Sequence, residues 1–120
     1  MFTIRADTVK NRLYVTLVGF FTLEEMKRCG DETIEATAKL HPGYDVITDI
    51  TEFKAGPPEV AQDIERVQAH FRKSGARQGV RIVGANVVSG MQFRRTGAQA
   101  EYNSVNVPSL EAAEELLSKP

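Results

Sequence analysis

The chain has 120 residues, a length that makes one domain around one hydrophobic core. Hydrophobic residues make up 42% and charged residues 26%, with a net charge of -1, a balance that argues against a nucleic-acid binder or a disordered tail. Cys29 is the single cysteine, which excludes an intramolecular disulfide and a multi-cysteine metal site.

Phe2, Ile4 and Ala6 alternate with Thr3, Arg5 and Asp7, which predicts a half-buried strand. Thr8 to Asn11 is a polar turn. Arg12 to Phe20 follows as a second strand with apolar groups on both faces, the mark of a strand inside a sheet. The short turn makes the pair an antiparallel hairpin. Thr22-Leu23-Glu24-Glu25 fits a capping box at a helix start. Leu23, Met26, Gly30, Ile34 and Thr37 then recur at helical spacing. Glycine costs ~1 kcal/mol in a helix, so Gly30 is expected to mark close packing of this helix on the sheet. His41-Pro42-Gly43 stops the helix.

Tyr44 to Phe53 carries Val46, Ile47 and Ile50 ahead of the turn residues Gly56, Pro57 and Pro58, which suits a buried strand. Asp49 is expected at its carboxyl end, opening a loop into the next helix. Pro57 and Pro58 suit a first helical turn. Val60, Ile64, Val67 and Phe71 give that helix an apolar stripe. Val80, Ile82 and Val83 predict another buried strand, and Gly84-Ala85-Asn86 a turn. Val87 to Ala100 reads as a helix capped near Ser89, although Val87-Val88 also suits a strand extension. Val105 and Val107 make a last short strand. Ser109 caps a terminal helix with Leu110, Ala113 and Leu117 facing inward. The order predicts an α/β domain spanning residues 1–120. Its mixed β-sheet has an opening antiparallel hairpin followed by parallel strands, with about four helices packed on it.

This order and three local features resemble the STAS domain superfamily of anti-sigma-factor antagonists, particularly its SpoIIAA-like branch. They are the hairpin leading through Gly19-Phe20-Phe21-Thr22 into a capped helix, the strand Val46-Ile47-Thr48-Asp49-Ile50-Thr51-Glu52-Phe53, and the closing Val105-Asn106-Val107-Pro108-Ser109-Leu110-Glu111-Ala112-Ala113. The resemblance implies a non-enzymatic regulatory domain that works through self-association, as a homodimer, or through a regulatory protein. Phosphorylation-switched antagonists carry Asp-Ser-Ser-Gly before the second helix. Here that loop is Lys54-Ala55-Gly56-Pro57-Pro58-Glu59, without a hydroxyl, so no phosphoacceptor carries over. The SpoIIAA-like branch also resembles lipid-binding Sec14-type folds, which implies membrane contact or an amphipathic ligand.

Asp49 at a strand end also suits the phosphoacceptor of a response-regulator receiver, but no acidic pair stands beside Asp7 and the chain opens with a hairpin. Asp49 is instead expected to order its own loop through backbone hydrogen bonds. Arg66, Arg72, Lys73, Arg77, Arg81, Arg94 and Arg95 fall in a stretch without Asp or Glu, which reads either as a basic surface or as solvated charges. Gly84 to Gly90 follows a strand, so its amides are candidates for an anion, with Arg94 and Arg95 a turn on. The tentative ligand or partner surface is therefore Asp49, Thr51, Phe53, Gly84, Asn86, Ser89, Arg94 and Arg95. Phe20, Phe21, Met91 and Phe93 are further candidates, either for a hydrophobic opening or for the core. Cys29 reads as a buried small hydrophobe, and His41 and His70 as structural or solvated. No catalytic constellation, metal site or cofactor motif is expected.

The amino-terminal Met1-Phe2-Thr3-Ile4-Arg5 lacks the pattern of a signal peptide, and no apolar run approaches the ~18 residues of a membrane span. A cytoplasmic domain is expected. Its first functional reading is a regulatory or protein-interaction module. The second is a binder or carrier of a lipid or other small amphipathic or anionic ligand, peripheral at the membrane, with loops Phe53–Pro58 and Gly84–Phe93 gating a cavity.

Overall fold

Alternation builds the opening hairpin. In the computed structural model, which describes residues 1–54, 57–102 and 104–118 and all their side chains except those of Val87 and Val88, β1 (Phe2–Asp7) pairs antiparallel with β2 (Arg12–Phe20). Asp7 Oδ1 accepts the amides of Val9 at 3.1 Å and Lys10 at 3.0 Å, which orders the turn between them. Leu13, Val15 and Leu17 face one side of the sheet and Tyr14 the other. β2 therefore lies inside the sheet, as its two apolar faces require.

The remaining strands join in sequence order. β3 (Asp45–Lys54), β4 (Gln78–Ile82) and β5 (Ser104–Val107) extend the sheet as β1-β2-β3-β4-β5, each parallel to the strand before it from β2 onward. Adding every strand on the same side with right-handed crossovers puts all connecting helices on one face. Accordingly α1 (Leu23–Thr37), α2 (Val60–Lys73) and α3 (Val87–Gln99) share one core, which includes Leu13, Val15, Val46, Ile50, Ile64 and Phe93. α4 (Leu110–Ser118) lies on the other face, with Ala113 and Leu117 against Ile47, Val80, Ile82 and Val107. Glu114 fixes it there, accepting from the Tyr14 hydroxyl at 2.6 Å and from the Arg12 guanidinium.

Four local expectations are corrected. Gly30 meets α2 rather than the sheet: a Cβ there would sit 2.7 Å from Arg66 Nη2 and 3.1 Å from Val67 Cγ2. α3 is capped at Asn86 rather than near Ser89, which is already buried in its first turn. Leu110 is 49% exposed, since the first turn of α4 overhangs a part of the sheet that the helix leaves uncovered, beside Tyr14, Thr16 and Asp49. Val87-Val88 is helical as expected, and the strand alternative there is not taken. Asp49 does not end its strand, which runs on to Lys54. Ser109, by contrast, caps α4 as expected, its Oγ accepting the Ala112 amide at 3.2 Å.

Candidate functional site

Six of the eight expected site residues meet at the carboxyl ends of β3 and β4, held together by a bulge. Thr16 faces Asp49 and Val18 faces Glu52, so Leu17 alone stands against both Ile50 and Thr51. The extra residue frees backbone groups that the ladder no longer pairs. Asp49 Oδ1 accepts the Thr51 amide at 3.0 Å and the Thr51 hydroxyl at 2.8 Å. β4 leaves β3 after Asp49, which pairs with Ile82. Beyond that point Asn86 Nδ2 donates to both Ile50 O and Phe53 O, each at 2.7 Å. Ser89 Oγ approaches Phe53 O at 3.5 Å. Gly84 turns the chain with φ at 51°, and a Cβ there would come within 3.1 Å of Thr51. These polar groups are thus spent on one another. The gate residues Ala55 and Gly56 lie outside the described residues.

The basic stretch does not form one surface. Arg66 lies 3.1 Å from both Asp31 and Asp63, Arg72 lies 3.1 Å from Glu101, and Arg77 grips Asp45 with two bonds of 2.9 and 2.8 Å. Arg94 and Arg95 stand exposed on α3, between one and two turns past Ser89. Phe21 and Phe93 belong to the core, whereas Phe20 and Met91 are exposed. His70 Nε2 is 2.8 Å from the Thr37 hydroxyl, and burial first and Lys73 second hold its pKa below the ordinary value. His41 is tied through its backbone to the Asn11 side chain. Among the described residues no three His, Cys, Asp or Glu side chains group as metal ligands would, and no helix is long and apolar enough to cross a membrane.

One arginine of the stretch is different in kind. Arg81 is 3% exposed, on the face of β4 that looks toward α2 and α3. Alternation places it there: Val80 and Ile82 point to α4, so the side chain between them points to the larger core. Its guanidinium donates to Asn106 Oδ1 and Ser104 Oγ, both at 2.8 Å. Among the described residues no carboxylate accompanies it. Burial lowers its pKa to about 10, Tyr102 opposes that shift and Arg94 adds to it, so the group is still charged at neutral pH.

Arg81 lines a cavity of about 50 Å³ between the sheet and the three crossover helices. Val15, Leu17, Met26, Ile64, Phe71 and Phe93 supply its apolar wall. Gln68 and Tyr102 are the other large polar side chains there. Burial raises the Tyr102 hydroxyl pKa, keeping it a neutral phenol, and a Cβ on Gly79 would collide with that hydroxyl. Gln68 is 4% exposed; its Nε2 donates to Phe93 O at 3.1 Å while its Oε1 is buried without a partner among the described residues. Among the described residues the parallel strands never reverse their order, so the sheet they form has no switch-point crevice at its strand ends. The cavity lies under the helices instead.

Reading the sequence missed this site, yet signals for it were present. Arg81 interrupts Val80-Arg81-Ile82-Val83, a run with the composition of a strand buried on both faces, where any charge must be interior. Gln68 stands four residues after Ile64 and three before Phe71, on the apolar stripe of its helix. No protein-family model matches the chain, and no curated protein matches it.

Proposed function

We propose that the chain is a non-enzymatic binding domain that holds a small amphipathic anion in the cavity under α1, α2 and α3. The observation that carries this reading is Arg81, a guanidinium buried against an apolar wall with no carboxylate beside it among the described residues. Isolating a charge from water costs several kcal/mol unless an opposite charge returns it. A carboxylate or comparable acid in the cavity supplies that charge, and the wall takes the apolar part of the molecule. Arg94 adds positive potential at Arg81.

Size narrows the ligand. A space of about 50 Å³ admits roughly four water molecules, or the head of a short organic acid. A whole lipid would need the helices to part, so a short-chain acid is the better match. Cys29 also lines the cavity, and burial pushes its thiol up to about 11, which suits packing rather than nucleophilic work. The order of strands and helices further supports the likeness to STAS domains, which act by binding.

Calorimetric titration with short aliphatic carboxylates, and with their neutral primary amides, tests the proposal. Carboxylates are expected to bind and amides to bind at least about tenfold more weakly, a ratio set by one charge-assisted hydrogen bond. Arg81→Met is expected to abolish that preference. Equal binding of acid and amide, or of acid to the wild type and Arg81→Met, would sink it.

A further inference from the structure

We infer that the ligand of this cavity carries a hydrogen-bond donor in addition to its acid group, as a hydroxy- or amino-substituted short-chain carboxylate does. The inference rests on the anion reading of the cavity and takes its next feature from Gln68. This side chain is 4% exposed and lines the cavity, and the two ends of its amide are not equivalent. Nε2 is committed to Phe93 O at 3.1 Å. The reversed amide would press two carbonyl oxygens together, so the orientation is fixed by that bond. Among the described residues Oε1 is left as a buried acceptor without a partner.

A buried acceptor of this kind is costly, and the cost falls on any ligand that fails to donate to it. An unsubstituted fatty acid would satisfy Arg81 and leave Oε1 facing methylene groups. An acid with a hydroxyl or amino group along its chain satisfies both. The two recognition points lie around one residue: the Arg81 guanidinium is 5.3 Å from the Phe93 ring centre, and Gln68 holds the Phe93 carbonyl. Specificity of this sort resembles that of other sites built to bond a substrate hydroxyl, which discriminate against the analogue lacking it.

The test compares butyrate with γ-hydroxybutyrate and γ-methoxybutyrate by calorimetry on the intact chain and on Gln68→Met. The hydroxy acid is expected to bind the wild type at least about fivefold tighter than its parent, the ratio for one buried acceptor satisfied. The methoxy acid, which keeps the oxygen but cannot donate, is expected to gain nothing. In Gln68→Met the gap should close while the parent acid still binds. If Gln68→Met does not fold, the wild-type comparison of hydroxy and methoxy acids decides alone. Equal affinity for hydroxy and parent acids overturns this inference and leaves the carboxylate reading standing. Binding of no acid at all overturns both.

Discussion

The guanidinium carbon of Arg81 lies 5.3 Å from the centre of the Phe93 ring, inside the core and within the same cavity wall. A cation over an aromatic face is worth about 0.5–2 kcal/mol, more when water is excluded. Phe93→Leu is expected to cost about 1–3 kcal/mol in urea unfolding, from lost packing and the lost contact together. In an Arg81→Met background the same substitution should cost less, by about 0.5–2 kcal/mol. Additive costs in this double-mutant cycle would show that the ring serves packing alone.

Asn86 replaces a strand where none is available. Its Nδ2 donates to Ile50 O and Phe53 O past the point where β4 leaves β3. Asn86→Ala strands two carbonyls and is expected to destabilise by about 1–3 kcal/mol. Asp49→Ala removes contacts at a half-exposed position and should cost less, about 1 kcal/mol or under. Arg94→Glu is expected to shift stability by no more than about 0.5 kcal/mol, as exposed charges do. Denaturant midpoints of the three variants give the ranking, and a loss at Arg94 equal to that at Asn86 would contradict it.

The contrast between these residues shows what was legible in the sequence. Element order was, because period two and period 3.6 persisted over whole segments and Pro, Gly and Thr22 marked their ends. The bulge was not. Its extra residue in β3 follows from the pairing of Thr16 and Val18 across the sheet, and no local pattern at Asp49-Ile50-Thr51 announces that. Six site candidates come together for a different reason: Asp49, Thr51 and Phe53 lie in the last half of β3, and Gly84, Asn86 and Ser89 follow β4, its parallel neighbour. Arg81 was read as one charge in a basic stretch because net charge ignores the strand period. Leu110 fitted the inward stripe of α4, but periodicity fixes a helix face and says nothing of where the sheet beneath it is left bare.

Gly79 marks where Tyr102 passes over β4. A Cβ at that position would collide with the phenol, whose ring also packs on Phe71 with centroids 5.4 Å apart. Gly79→Ala is expected to destabilise by about 1–3 kcal/mol, because the ring has to leave a packed position. Tyr102 lines the cavity, so the displacement should also weaken acid binding. Adding Tyr102→Leu to Gly79→Ala should restore part of the lost stability. A variant Gly79→Ala with an unchanged unfolding midpoint would mean that the ring yields without cost.

Cys29 links the cavity wall to a pH dependence. Burial raises its thiol pKa from 9.0 to about 11, Thr33 acting against the shift and Glu32 and Glu25 with it. Below pH 9 the thiol is protonated in both folded and unfolded chains, and its contribution to stability is complete. Between 9 and 11 the unfolded chain releases the proton while the folded chain keeps it, so that contribution falls as pH rises. The stability of the wild type relative to Cys29→Ala is therefore expected to drop by about 1 kcal/mol on going from neutral pH to about pH 10. Urea unfolding of both proteins at the two pH values measures the difference. The same protonation makes the native thiol slow toward disulfide reagents at neutral pH, since the thiolate is the reactive form. A fast native reaction, or a stability difference that does not change with pH, would mean that solvent reaches this wall of the cavity. A short acid that binds there should then protect Cys29, whereas the closed wall leaves its rate to local opening of α1.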